Sequence, residues 1–498
     1  MQQLAKDPFR PTLHFTPPFG WMNDPNGLVY VNNEYHLFYQ YFPYANKWGP
    51  MHWGHAVSAD LRNWQHLPPA LVPDEKGMCF SGSAVVDWRN TSGLFDNEAQ
   101  PGVLAFYTAC IAHDEGRDSE QMQSLAYSKD GGFSWNKLTD NPILPNPGLK
   151  DFRDPKVIWH EQSQHWVMVV TEGQEIGFYR SKDLKQWEKT SIFGLKEGKH
   201  DEMPWECPDL FPIQLEGSDA CYWVLIVGVQ RCSHAGGSGT QYFIGDFDGE
   251  KFTTEQEGIK WVDWGTDNYA GVTYNVLPED YYGELYANDP KDQRIFMGWM
   301  NNWTYARDTP TEKWRGAATV PRKLSLKKFG NDYELFNYPI EALDGLLESA
   351  KEDTIEITEN GNGAITNENF NQSDIRFVTS AKDFGLSFRN TKNDMLELRM
   401  NKETRLFTLD RANSGQTDFE KDFSTIQKMP LPNLPDEEIE VRIVMDHSSI
   451  EIFINEGQYV MTAQIFPNEF YTNLEIMNHS DSKIVLKDFK VSKIRRVW

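Results

Sequence analysis

Nowhere in this chain do about 18 uncharged apolar residues run together, so no segment is long enough to cross a bilayer as a helix. Basic residues are scarce too. Lysine and arginine number 48 against 73 aspartates and glutamates, a formal net charge of −25, which argues against nucleic acid and anionic membranes as partners because both select basic patches. The longest basic cluster, Lys493-Ile494-Arg495-Arg496, reads as a solvated end. Cysteine is sparse and odd in number: Cys79, Cys110, Cys207, Cys221 and Cys232. None is spaced as Cys-x-x-Cys, so buried reduced thiols are expected rather than a disulfide framework or a zinc site. His52 and His55 lie three apart on a strand-like segment and point to opposite faces, so no shared metal is expected, and nothing else calls for a metal or cofactor.

An apolar leader is missing as well, since Met1-Gln2-Gln3-Leu4-Ala5-Lys6-Asp7 has no signal-peptide core. Either the protein is cytoplasmic, or it is secreted or periplasmic with its leader removed. Asn-x-Ser/Thr triplets begin at Asn90, Asn302, Asn371 and Asn478, but such triplets arise by chance and do not decide the compartment. Oligomeric state leaves no signature.

What the chain has in quantity is aromatic surface, with 17 Trp, 20 Tyr and 30 Phe in 498 residues. That length predicts more than one domain. One stretch organises the rest: Trp21-Met22-Asn23-Asp24-Pro25-Asn26-Gly27. Pro25 pushes Asp24 towards extended backbone and Asn26-Gly27 supplies turn chemistry, so the carboxylate is held rather than mobile. β-branched and aromatic runs follow, broken at Asn32-Asn33, as in a hairpin. Taken singly, an Asp-Pro is most often a solvated turn. Two further acids change the balance: Arg153-Asp154-Pro155 repeats the device, and Trp205-Glu206-Cys207-Pro208-Asp209 places a third acid near a proline before a strand.

On these three blocks, in this order, the chain resembles glycoside hydrolase family 32, the invertases, levanases and exo-inulinases. Gly49-Pro50-Met51-His52-Trp53-Gly54-His55 and Phe80-Ser81-Gly82-Ser83 extend the likeness, which covers nearly the whole chain. The resemblance implies an all-β protein, a five-bladed β-propeller followed by a C-terminal β-sandwich. The residues support this independently. Ser58-Ala59-Asp60-Leu61-Arg62-Asn63-Trp64, Ser128-Lys129-Asp130-Gly131-Gly132-Phe133-Ser134-Trp135 and Ser181-Lys182-Asp183-Leu184-Lys185-Gln186-Trp187 share one scheme, with a distant echo at Gly245-Asp246-Phe247-Asp248. Echoes 53 to 70 residues apart with short strands between them are what propeller blades produce, and they count at least four. Residues 261–325 supply the remaining blade. The propeller is expected over 1–337, a connector over 338–347 and the sandwich over 348–498, where runs such as Leu396-Glu397-Leu398-Arg399-Met400 alternate with period two. The default role of that second half is stability or solubility, with accessory glycan binding as the alternative.

The resemblance also assigns roles. A fructofuranoside breaks through an oxocarbenium-like state that needs one carboxylate nucleophile and one acid for the departing oxygen. By resemblance Asp24 is the nucleophile, Glu206 the acid/base, and Asp154 the residue that grips ring hydroxyls; the neighbouring Arg153 is expected either to keep Asp154 ionised or to contact Glu206. Retention requires carboxyls about 5–5.5 Å apart. Asn23, Gln40, Trp48, Phe80, Ser81 and Trp303 match positions lining the family's fructose pocket, with Trp299 competing with Trp303. The implied activity is retaining, exo-acting hydrolysis of terminal fructose from levan, inulin or sucrose. A fructosyltransferase using the same carboxylates is the alternative, and a non-catalytic carbohydrate-binding propeller the reading from another class.

Overall fold

The structure, a computed structural model, describes residues 7–95, 102–112, 119–275 and 294–497; residues 1–6, where the leader expectation falls, lie outside it. Residues 20–339 form five antiparallel sheets arranged as the blades of a propeller. Blade one holds Gly20–Val31, Glu34–Phe42, His52–Ser58 and Gln65–Leu71, and blade two Met78–Asp87, Gly102–Ile111, Glu120–Ser128 and Asn136–Lys137. Blade three comprises Phe152–His160, His165–Glu172, Glu175–Ser181 and Glu188–Phe193. Blade four comprises Glu206–Gln214, Cys221–Val229, Gly239–Phe247 and Phe252–Thr253, with Lys260–Trp261 beside its third strand. Blade five is Tyr269–Thr273, Arg294–Trp299, Arg322–Phe329 and Asp332–Pro339.

The first strand of each blade is innermost, and each contacts the first strand of the next until blade five meets blade one. Parallel pairing of Gly20 and Trp21 with Trp314 and Arg315 helps to close the ring. On the axis Asn275 ties three blades. Its backbone N–H donates to Leu28 O at 3.2 Å, and its side-chain amide to Ala84 O at 2.6 Å and Val157 O at 3.2 Å.

The Ser-x-Asp repeat has a plain physical basis. In blades one to three the serine hydroxyl meets the aspartate two residues on, at 3.1, 2.7 and 3.2 Å for Ser58, Ser128 and Ser181. The aspartate then accepts successive backbone N–H groups of the turn, as Asp183 does from Lys185 at 3.0 Å and Gln186 at 2.8 Å. Asp248 in blade four does the same for Glu250 and Lys251, at 2.8 and 2.7 Å. The repeat is therefore a side-chain-capped hairpin between the outer strands.

After a 3-10 turn at Glu341–Leu346, two six-stranded sheets pack face to face from Asp353 onward. The outer sheet alternates as its sequence does: in Met395–Asn401 only Leu396, Leu398 and Met400 are buried. The other sheet departs from that pattern. Ser449–Ile454 is buried on both faces, because the face carrying Glu451 packs against the propeller instead of water.

Five charged residues run through this junction. Asp263 and Arg322 pair at 2.9 Å, Arg322 and Glu451 at 2.6 Å, Glu451 and His14 at 2.7 Å, and His14 and Asp446 at 2.9 Å. Asp446 also accepts the backbone N–H groups of Thr12, Leu13 and His14, so the sandwich grips residues 12–14 of the N-terminal segment. Burial works against charge on His14. Its bonds to Asp446 and Glu451 outweigh that and raise its pKa to about 9.

A raised histidine pKa contributes stability that is complete below the unfolded value near 6.5 and lost as pH rises through about 9. Melting temperature is therefore expected to fall between those limits, and His14→Gln, melted over the same range, to fall less steeply. Equal slopes would show that this charge contributes nothing.

Candidate active site

Each innermost strand carries the same irregularity at the same level of the axis. From Met22 to Pro25 the strand takes three steps while its neighbour takes two, from Tyr41 to Tyr39. The count recurs from Cys79 to Gly82, Arg153 to Lys156, Glu206 to Asp209 and Tyr269 to Val272. Five β-bulges thus re-aim side chains into one ring. Their central residues in blades three to five, Asp154, Cys207 and Ala270, have φ of 63°, 48° and 48°. Left-handed backbone at two residues other than Gly, Asn or Asp is strain held by its surroundings, as at functional sites.

Within this ring the three acids meet. Ser81 Oγ donates to Asp24 Oδ2 at 2.7 Å, and the Cys207 backbone N–H donates to Asp154 Oδ2 at 2.9 Å. The Cys207 thiol lies 3.6 Å from Asp24 Oδ2 and 3.6 Å from Asp154 Oδ2, joining the two acids. Glu206, the next residue back, is held from both sides. Arg153 donates to its Oε1 from Nη2 at 2.9 Å and Nε at 3.2 Å, and the Tyr269 hydroxyl donates to Oε2 at 2.7 Å. Arg153 Nε also stands 3.9 Å from Asp154 Oδ2, so the guanidinium serves both acids.

Burial and mutual repulsion set the charge state. Burial raises the pKa of Asp24, as does the charge of Glu206, against hydrogen bonds from Asn23 and Ser81. Burial likewise raises Asp154; Arg153 opposes it, while Glu206 and Asp24 add to it. Burial lowers Arg153, but Glu206, Asp154 and Asp151 together outweigh that and keep it firmly cationic. Burial, then neighbouring carboxylates, raise the Cys207 thiol and the Tyr269 hydroxyl far above their usual range. Both therefore stay neutral donors.

The expected sugar-binding residues divide by setting. Asn23, Asp24, Phe80, Ser81, Arg153, Asp154 and Glu206 all lie in or at the bulges. Asn23 is buried and accepts from Trp21 Nε1 at 2.7 Å. Gln40 is also buried, and its amide donates to Cys79 O at 3.1 Å, tying blade one to blade two. Trp48 is 39% exposed and meets Phe80 edge-on, with ring centroids 6.1 Å apart. Trp299 is fully buried, whereas Trp303 is half-buried and stacks on Trp21 at 6.0 Å, so of these two tryptophans Trp303 is the one at the surface of the cluster.

Below the acids the axis is filled. Lys156 Nζ pairs with Asp209 at 2.9 Å and donates to Thr273 O at 2.8 Å. A small void there, lined by Asn26, Ser83, Lys156 and Thr273 among others, measures about 10 Å³, room for at most one water. A depression of about 1900 Å³, lined by Val29, Trp159 and Leu210, holds none of the acids.

Sequence reasoning missed Tyr269, Asp151, Thr108 and Gln121. Asp151 Oδ1 takes Arg153 Nη1 at 2.5 Å, Thr108 Oγ1 accepts the Asp154 N–H at 2.9 Å, and Gln121 Oε1 accepts the Phe152 N–H at 2.9 Å. Tyr269 alone left a trace: it opens the innermost strand of blade five as Glu206 opens that of blade four. His52 and His55 do face apart, with His52 Nδ1 on Pro50 O and His55 Nε2 on His36 Nδ1. All five cysteines are free; Cys79, Cys110 and Cys207 are buried, while Cys221 is exposed and Cys232 half-buried. Of the Asn-x-Ser/Thr asparagines, Asn302, Asn371 and Asn478 are buried, and Asn90 is half-buried with its amide on Phe95 O at 2.6 Å.

Residues 14–339 match the N-terminal domain of glycosyl hydrolases family 32, and residues 342–493 match its C-terminal domain. The chain is 40% identical over 499 aligned residues to a levanase of Bacillus subtilis, covering 98% of this chain and 71% of that protein. It is 37% identical to an extracellular exo-inulinase of Aspergillus niger, covering 93% of this chain and 90% of the relative. The crystal structure of the Aspergillus awamori exo-inulinase superposes with a TM-score of 0.87 at 32% identity, covering 99% of both chains. With both family domains matched in order around one ring of bulged strands, the chain belongs to glycosyl hydrolase family 32.

Proposed function

We propose that the protein is a retaining, exo-acting β-fructosidase that releases fructose from the ends of fructans, levan and inulin, and from sucrose. The observation that carries this is the meeting of Asp24, Asp154 and Glu206 around Cys207. The levanase and the exo-inulinases that the chain resembles support fructan as substrate. The exo-inulinases among those relatives support exo action.

Asp24, fixed by Ser81, attacks the anomeric carbon, and Glu206 gives its proton to the departing oxygen. Water then enters with Glu206 as base, and attack at the anomeric carbon breaks the fructosyl ester of Asp24 and frees fructose. Two inversions leave the configuration retained. Asp154 accepts hydrogen bonds from ring hydroxyls, which tighten as charge develops on the sugar. Arg153 and Tyr269 hold Glu206 by both oxygens, which restricts its rotamer. Trp48, Phe80 and Trp303 supply ring faces, and Asn23 and Gln40 brace the floor.

Asp24→Ala and Glu206→Ala are each expected to lower kcat on sucrose and inulin by roughly a thousandfold or more with the circular dichroism spectrum unchanged. Near-normal turnover in either variant would refute the roles. Tyr269→Phe, which removes one hydrogen bond to a carboxylate, should lower kcat about tenfold; full activity would reduce Tyr269 to packing. Sugar chromatography of wild-type digests should show fructose alone, whereas trisaccharide accumulating at high sucrose would favour transfer, and no product at all a binding role.

A further inference from the structure

Trp303 sits in a turn that the propeller does not hold by itself. Asn302, just before it, is buried, and its amide bridges Gly236 O, Ser238 O and Thr266 O at 3.2, 3.3 and 2.9 Å. The Tyr305 and Ala306 N–H groups return to Asn302 O at 3.1 and 2.8 Å, closing a single turn around Trp303. Tyr305 points away from the pocket. Its hydroxyl donates to Asp267 Oδ1 at 2.8 Å and accepts from Arg411 Nη2 at 2.8 Å.

Arg411 belongs to Leu406–Asn413, a strand of the sandwich. Its other N–H groups reach Asp267 Oδ2 at 2.8 Å, Gln464 O at 2.7 Å and Phe423 O at 2.7 Å, and its plane covers the Phe423 ring at 3.7 Å. The residue is completely buried. Burying a guanidinium and a carboxylate gains little stability over apolar packing, so the pair is better explained by what its geometry fixes. What it fixes is two segments of the site: the turn of Trp303, and Asp267, two residues before the Tyr269 that holds Glu206.

We propose that Arg411 of the C-terminal sandwich is a positioning residue for sugar binding: through Tyr305 and Asp267 it sets the turn that presents Trp303. The inference rests on the reading that Trp303 lines the fructose site. The sandwich then completes the pocket without touching substrate.

The test is a double-mutant cycle in the full chain, with sucrose and inulin as substrates. Tyr305→Phe removes one hydroxyl and both its bonds, and Arg411→Lys keeps the charge but loses the planar fork. Each is expected to raise KM about five- to tenfold with kcat within about twofold. In a Trp303→Ala background, Tyr305→Phe should raise KM by less than about twofold more, because residues acting through one another are not additive. Unchanged KM in folded Tyr305→Phe, or an equal rise in both backgrounds, would overturn the role of Arg411 and leave the pocket standing. Unchanged KM in Trp303→Ala alone would instead sink the pocket reading. If Arg411→Lys does not accumulate as folded protein, the Tyr305→Phe cycle still decides.

Discussion

One guanidinium makes the rest of the site possible. Asp24 and Asp154 are buried beside other carboxyls, and burial and repulsion both push their protons on rather than off. Arg153 stands among Glu206, Asp154 and Asp151 and supplies a buried positive charge next to them. Neutral donors do the remainder. Ser81, the Cys207 N–H and thiol, and the Tyr269 hydroxyl each face a carboxylate oxygen without adding charge, so the acids are oriented while the local potential stays negative. An oxocarbenium-like transition state benefits from that sign.

The propeller is suited to such a ring because its innermost strands converge on one axis. An ordinary strand would turn alternate side chains into the blade core and the next along the axis. A bulge breaks the alternation once, at one level, and five bulges break it together. The cost is strain at Cys207 and Ala270, which the surrounding sheet and the closing contacts at Asn275 and Lys156 hold in place.

The sandwich extends the same logic to the whole chain. The buried series Asp263, Arg322, Glu451, His14 and Asp446 needs each partner for the next to be satisfied. Removing any one partner would leave its neighbours buried and unpaired, a far larger penalty than losing an apolar contact of the same size. The two folds therefore behave as one body at their junction, where Val444, Phe453, Val460 and Ile494 of the sandwich join the propeller's own core.

Much of this was legible in the chain itself. The Trp-Met-Asn-Asp-Pro-Asn-Gly block, the Asp-Pro and Glu-Cys blocks and the Ser-x-Asp hairpins carry local chemistry, because a proline or a capping aspartate acts on its own neighbours. Period-two patterning likewise pointed to a β-sandwich in the second half. The bulges were not legible, since one extra residue in a strand is defined only against its partner. Tyr269 and Thr108 were missed for that reason: each acts on a residue from elsewhere in the sequence, Tyr269 on Glu206 and Thr108 on Asp154. The same holds for Glu451, which reads as the solvent side of an alternating strand and in fact faces a second domain. Sequence alone thus determined which groups are chemically competent and how their immediate backbone is held. Tertiary structure decided which of them meet, because distance between blades and between domains is set by packing that no single segment encodes.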